Sequence, residues 1–297
     1  MKLWVIANPA AGRRNSAAAF ELIAKQLAGA SAEFHLTERG GDEKALAERA
    51  LAEGVRTIIV VGGDGTCSNI ASVLVRARSD CALGVVPAGT GNDFAKTLGV
   101  RNMPIAKIAQ LVSTGSRTRI DVGLADGRYF INSCGFGFDA SVLEATTQVK
   151  FFKGDALYIY AALKQLLTYR GLPITVDRTS AEAANDILMV TVSNGPFLGG
   201  AFHIAPEASV LDGKLDVCVV RDANVLQRVR VFASAFRGTH GQLPSVQTFR
   251  AGRLTLSFPS PPAIELDGEL CQAQSSDVLI ECVPRALNVI AAPNATL

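Results

Sequence analysis

Apolar residues in the first 120 positions follow two rhythms. Short runs without polar alternation, LWVIA at 3–7, TIIVV at 57–61 and LGVV at 83–86, predict strands covered on both faces. Between the first two, Phe20, Ile23, Ala24 and Leu27 recur at the i, i+3, i+4, i+7 spacing of one helix face. A second helix is predicted after Asp42, a residue suited to the N-cap, with Leu46, Ala50 and Leu51 on its apolar side. A third places Ile70, Val73 and Leu74 inward. Strand, helix, strand, helix in this order predicts an α/β domain with a parallel sheet between helices.

The rhythm changes near residue 120. Strand-like runs then crowd together: RIDVGL (119–124), RYFINS (128–133), LPITV (172–176), DILMVTVS (186–193), LDVCVV (215–220), LTLSF (254–258), PAIEL (262–266) and DVLIEC (277–282). Two helical segments interrupt them. One is the apolar stretch near 155–168, which either lines a pocket for an acyl chain, dips into a membrane surface or packs in a core. The other lies at 225–237, with Leu226, Val229, Ala233 and Phe236 at 3-4-3 spacing. This pattern predicts a second, mostly antiparallel β-sandwich domain. The expected division is 1–122, 123–284 and a 285–297 tail packing back on the first domain.

Composition narrows the classes. Of 297 residues, 48% are hydrophobic and 19% charged, enough for two packed cores. A formal net charge of +2 gives no reason to expect nucleic acid as a partner. The pairs Arg13–Arg14, Arg117–Arg119 and Arg228–Arg230 read as solvated surface. Six cysteines without a CxxC pair argue against a thiolate metal site and read as reduced thiols. The apolar run before Asn8 is too short for an export signal, and Lys164 and Gln165 break the stretch from Ala156 to Leu167. The expectation is a cytoplasmic protein, peripheral at a membrane at most. His35, His203 and His240 form no catalytic or metal-ligating pattern.

Candidate chemistry sits where strands turn into helices. In IIVVGGDGTCSNIASVL (58–74), a buried strand ends at Gly62-Gly63-Asp64-Gly65-Thr66 and a helix begins at once. Glycines allow close backbone approach to an anion, and the helix N-terminus supplies N–H groups. Asp64 beside a phosphate calls for a bridging cation, which points to Mg²⁺. GVVPAGTGNDFAKTLG (84–99) repeats the design with Gly89, Thr90, Gly91, Asn92 and Asp93, and Asn8-Pro9-Ala10-Ala11-Gly12 follows the first strand. Loops at the carboxyl ends of parallel strands open into one crevice. Neither a Walker P-loop nor a GxGxxG fingerprint is present in these loops. Each turn also reads as plain structure: GGDG as a glycine bend, Asp267-Gly268 as a hairpin turn.

GGDGT followed by PAGTGND resembles the diacylglycerol kinase catalytic-domain family, which includes sphingosine and ceramide kinases and soluble bacterial lipid kinases. NPAAG (8–12), FINSCGFGFDA (130–140), VSNGPFLGGAFHIAPEASVLDGKLDV (192–217) and LDGE (266–269) resemble further family blocks, so the similarity spans nearly the whole chain. It implies an NAD kinase/diacylglycerol kinase-like fold and ATP-dependent phosphorylation of a lipid alcohol. It places Asn8, Pro9, Gly12, Thr37, Gly62 to Thr66, Asn69 and Gly89 to Asp93 at the ATP site. Asp64 would hold the catalytic Mg²⁺, and Asp267 or Glu269 would be the general base. A structural Mg²⁺ is implied at Asp212 with the carbonyls of Ser209 and Lys214. Implied partners are the lipid alcohol, a transient membrane-surface contact and, as an option, a second copy in a homodimer.

The sequence departs from the family pattern at several points. Ala11 replaces a small hydroxyl residue, Ala201 the third glycine of a GGG run, and Ser68-Asn69 the Asn-Glu that usually follows GGDGT, which removes one negative charge. Two other functions compete: an NAD kinase-like phosphotransferase on a soluble nucleotide, and a non-catalytic lipid- or nucleotide-binding protein.

Overall fold

The computed structural model describes residues 2–12, 15–29, 31–114, 117–148, 164–177, 186–293 and 295–297. By contact density the chain divides into two units: Met1–Val122 with Ser209–Gly213 and Val283–Leu297, and Gly123–Ala208 with Lys214–Cys282.

Unit 1 alternates strands and helices: β1 (Leu3–Ala7), α1 (Asn15–Gln26), β2 (Ala32–Leu36), α2 (Asp42–Ala52), β3 (Thr57–Gly62), α3 (Asp64–Arg76), β4 (Ala82–Pro87), α4 (Asp93–Thr97) and α5 (Ile105–Thr114). β5 (Thr118–Ala125) leads out of it. The strands lie in the order β2-β1-β3-β4, all parallel. Every residue of β1 and β3 is buried, as their unbroken apolar runs require. The inward face of α3 is Ile70, Ala71, Leu74 and Val75; Val73 is only half-buried. Asp42 does not cap α2. The cap position is Gly41 in a left-handed conformation, and the Asp42 carboxylate accepts the backbone N–H groups of Glu38 and Arg39 instead, at 2.9 and 2.7 Å.

Unit 2 holds β6 (Arg128–Phe130), β7 (Ser133–Gly137), α6 (Phe138–Gln148), β8 (Leu172–Pro173), β9 (Thr175–Val176), β10 (Asp186–Ser193), β11 (Leu215–Arg221), α7 (Val225–Ala235), β12 (Val246–Ala251), β13 (Arg253–Ser257), β14 (Ala263–Leu266) and β15 (Glu269–Gln272). It also holds the first part of β16 (Asp277–Val289), whose last residues pair in parallel with β4 in unit 1. One antiparallel sheet runs β12-β11-β10-β7-β14-β15. Its inner face packs Phe136, Val190, Val217 and Ile264 against Leu254, Leu256, Val278 and Ile280 of β13 and β16, so a sandwich core is formed. On the outer face, Phe138 and Val142 of α6 and Val231 and Ala235 of α7 cover Met189, Cys218 and Val220.

Two expected elements are resolved differently, and a third is only partly described. LPITV is two short strands, β8 on β10 and β9 on β13, because Pro173 has no N–H to continue a ladder and the chain changes sheet at Ile174. RYFINS breaks after Phe130, since the N–H groups of Ile131, Asn132 and Ser133 turn to a side chain rather than a neighbouring strand. Most of the expected 155–168 helix lies outside the described residues; 164–168 are helical. Among the described residues, no helix is long and apolar enough to cross a membrane.

Candidate functional site

β1, β3 and β4 are parallel neighbours, so the loops after Ala7, Gly62 and Pro87 leave the same sheet edge. Backbone bonds hold the first and third loops to the second: Asn8 N–H donates to Val61 and Ala88 N–H to Gly62, at 3.0 and 2.9 Å. Side chains add to this. The Asn8 amide donates to Thr66 Oγ1 at 3.2 Å, and the Asp64 carboxylate accepts the Phe94 N–H at 3.0 Å.

The glycines have geometric reasons. A Cβ on Gly89 would fall 2.5 Å from the Gly63 Cα, so the second and third loops touch backbone to backbone. A Cβ on Gly62 would meet Thr66 Cβ at 2.9 Å. Asn92 occupies a left-handed conformation, and its side chain clasps Gly89 twice, accepting its N–H at 2.9 Å and donating to its carbonyl at 2.7 Å. Asn92 therefore shapes the loop. Asp93 pairs with Lys96 at 2.6 Å, and Arg101 donates to the Gly91 carbonyl. Gly63 is the N-cap of α3, with no side-chain bond at the cap, and the loop meets the positive end of the helix dipole there. Thr37 is buried with its N–H on the Ala7 carbonyl at 2.9 Å, beside the first loop. Pro9 and Thr90 are exposed, and Gly12 takes a positive φ of 54°.

Asn69 has an unexpected neighbour. Its amide donates at 2.7 Å to Glu43 Oε1, while Glu43 Oε2 accepts Gly41 N–H at 3.2 Å. Glu43 is 4% exposed. The carboxylate that the motif lacks at position 69 is thus present beside it, delivered from α2. An acid in a helix's first turn is ordinary in sequence, so no signal marked Glu43 in advance.

In unit 2, the LDGE turn is a two-residue hairpin joining β14 and β15, with Leu266 opposite Glu269 and positive φ at Asp267 and Gly268. Its two acids have different fates. Asp267 is 5% exposed and accepts three backbone N–H groups, from Ile131 and Asn132 at 2.8 Å and Ser133 at 3.1 Å. Glu269 is exposed at the start of β15. Glu265, which sequence reasoning passed over, accepts Gly268 N–H at 2.5 Å and holds the turn. Nearby, half-buried Asp139 accepts a bond from Thr191 Oγ1 at 2.8 Å; desolvation pushes its carboxyl up to about 6.

Ser209 and Asp212 lie in the segment that belongs to unit 1. There buried Asp121 accepts Gly213 N–H at 2.7 Å and gives its own N–H to the Val210 carbonyl. Lys214 begins the next stretch of unit 2. Among the described residues, no three His, Cys, Asp or Glu side chains cluster closely enough to hold a metal ion. A hard cation that keeps waters and takes phosphate oxygens needs only one or two carboxylates. Half-buried Asp64, at the edge where the three loops gather, meets that requirement.

A parallel α/β unit with three loops gathered at one sheet edge, and a β-sandwich unit with an acidic hairpin, have the build of the lipid-kinase family. Residues 2–125 match the diacylglycerol kinase catalytic domain, and residues 132–291 the YegS C-terminal NAD kinase beta sandwich-like domain. A diacylglycerol kinase of Bacillus subtilis is 30% identical over 275 residues, covering 89% of this chain and 88% of the relative. A "probable lipid kinase YegS-like" protein of Pseudomonas syringae is 30% identical over 266 residues, covering 89% and 85%. A crystal structure from Bacillus anthracis superimposes with a TM-score of 0.78 at 26% identity, covering 98% of this chain and 97% of the other. The chain belongs to the diacylglycerol kinase catalytic-domain family.

Proposed function

We propose that the protein transfers the γ-phosphoryl group of ATP to the hydroxyl of a lipid alcohol of the diacylglycerol kind. The observation that carries this reading is the gathering of three strand-end loops at one edge in unit 1, with the N-terminus of α3 and Asp64 beside them. An edge of that kind recognises a polyphosphate. The backbone around Gly62 to Thr66 and Gly89 to Gly91 cradles the phosphates, while Asn8, Thr37 and Asn69 border the nucleotide.

Asp64 is the residue that would hold Mg²⁺. When bound, the ion neutralises charge on the β- and γ-phosphates. The acceptor hydroxyl attacks the γ-phosphorus, the bond to the β-γ bridging oxygen breaks, and ADP leaves. The hydroxyl proton passes to Glu269, because Asp267 has its oxygens committed to three N–H donors and is shielded from solvent. Asp267 then acts by fixing the hairpin. A structural Mg²⁺ at Asp212, with the Ser209 and Lys214 carbonyls, belongs to the same proposal.

The test is a mixed-micelle assay with γ-labelled ATP across a panel of lipid alcohols, with and without Mg²⁺. Label in an organic-extractable product is expected. Label on NAD instead, or no ADP release with any acceptor, rejects the reading.

A further inference from the structure

α7 has an outer face as distinctive as its inner one. Arg228, Val231 and Ala235 are buried, whereas Leu226, Val229, Ala233 and Phe236 point to solvent. Leu226 is 78% exposed, Phe236 55% and Val229 44%. At helical spacing these four make one stripe about 15 Å long. The stripe is held firmly. Phe236 leans on Phe202 at 4.5 Å, Phe202 on Phe232 at 6.1 Å, and Phe232 on Phe138 at 4.8 Å, a chain of rings leading down into the core. Arg228 also donates to the Leu166 carbonyl at 2.9 Å, which fastens the 164–168 helix to the buried side of α7.

The charge carried by α7 itself has one sign. α7 contains no acidic residue, and exposed Arg230 and Arg237 border the stripe. Arg228, in contrast, is spent on Asp222 at 2.5 Å. Exposed apolar side chains with arginines along one border, and no acid among them, match the boundary between acyl chains and anionic headgroups. A protein partner would be met as well by mixed charge; a negative lipid surface selects cations alone. We infer that the outer face of α7 docks the protein on an anionic phospholipid bilayer. This rests on the lipid-kinase reading for its purpose, since the acceptor of such an enzyme resides in a membrane.

The test measures binding without catalysis. Full-length protein is sedimented with vesicles of phosphatidylglycerol mixed with phosphatidylcholine, and with vesicles of phosphatidylcholine alone, at low and high salt. Salt-sensitive binding to the anionic vesicles is expected. Arg230→Ala/Arg237→Ala weakens it by about fivefold for each arginine lost, and Leu226→Ser/Phe236→Ser by at least about tenfold. Leu22→Ser, on an exposed apolar residue of α1 in unit 1, leaves it unchanged. Wild-type-like binding by either double variant overturns the inference, as does equal binding to phosphatidylcholine alone. It is also overturned if wild type ignores vesicles and light scattering shows a dimer that Leu226→Ser/Phe236→Ser dissolves. A parallel assay with a water-soluble short-chain acceptor and no vesicles separates the two ideas: loss of label there counts against the kinase reading and leaves the docking result standing.

Discussion

Two carboxylates two residues apart, Asp267 and Glu269, are expected to fail in opposite ways when removed. Asp267→Ala strips the acceptor from three buried N–H groups, those of Ile131, Asn132 and Ser133. A hydrogen bond to a charged group contributes about 1.5–3 kcal/mol, and an orphaned donor costs about 1–3 kcal/mol. Rearrangement of the 131–133 turn recovers part of this, so a loss of about 3 kcal/mol or more is expected. In a unit of this size, that lowers the melting temperature by about 6–12 °C. Glu269→Gln removes an exposed side chain at a strand start. Its effect on stability should stay within about 0.5 kcal/mol, while kcat falls by about 10²–10⁴ as a proton acceptor is lost. Urea unfolding followed by circular dichroism reads the first quantity, and ADP release with a soluble acceptor reads the second. The reasoning is wrong if Asp267→Ala melts with wild type, or if Glu269→Gln keeps kcat within tenfold.

Three further outcomes follow from measured contacts. Gly89→Ala puts a methyl 2.5 Å from the Gly63 Cα, where backbone must move; the KM for ATP is expected to rise more than about tenfold, a 1 Å loop displacement being enough for that, and an unchanged KM contradicts the touching of the two loops. Glu43→Ala leaves the Asn69 amide without its acceptor at a cost of about 1–3 kcal/mol, whereas Glu43→Ala/Asn69→Glu returns a carboxylate to the same place and restores the KM for ATP; if the double variant is no better than the single, the carboxylate is not what the site uses. Asp139, raised by burial from 3.8 to about 6, favours folding when protonated, so its contribution is complete below pH 3.8 and lost as pH rises through 6. Asp139→Asn keeps an acceptor for Thr191 without the charge, and the stability difference between variant and wild type should grow by about 1.4 kcal/mol from pH 5 to pH 8; a difference that stays constant across that range refutes the shift.

The parallel unit could be read from sequence because its signals agree at every level. TIIVV is apolar after Thr57 and β-branched throughout, the strand it predicts is wholly buried, and GGDGT falls at the strand end where a helix must begin. The β-sandwich was legible as a class but not in its joints. Nothing in LPITV tells that Ile174 is where the chain leaves one sheet for the other, since the choice is made by partners distant in sequence. Strands β12 and β15, with exposed and half-buried residues alternating, carry too little apolar signal to stand out. Asp42 looked like a helix cap because local rules favour Asp there. In the fold, Gly41 takes the cap with a positive φ, and Asp42 turns back to the loop before it. Glu43 was invisible for a related reason: its importance lies in a residue 26 positions away.

The acidic hairpin shows why a turn and a site are not rival readings of the same residues. Asp267-Gly268 is a hairpin turn, with both residues at positive φ and Leu266 paired to Glu269. A loose turn would serve only to reverse the chain. Here Asp267 binds three N–H groups of the 131–133 segment, that segment is itself held by the Asn194 amide on the Ile131 carbonyl at 2.9 Å, and Glu265 takes the Gly268 N–H. Every residue from 265 to 268 is thereby fixed in unit 2, and the next side chain, Glu269, projects from that rigid base into solvent. A proton acceptor must be held still relative to the segments around it, and exposed enough to meet a substrate. In Glu265-Leu266-Asp267-Gly268-Glu269 those two requirements fall on different residues. In the proposed mechanism the buried acids supply rigidity and the exposed one the chemistry, so the hairpin would be the means by which the base is positioned.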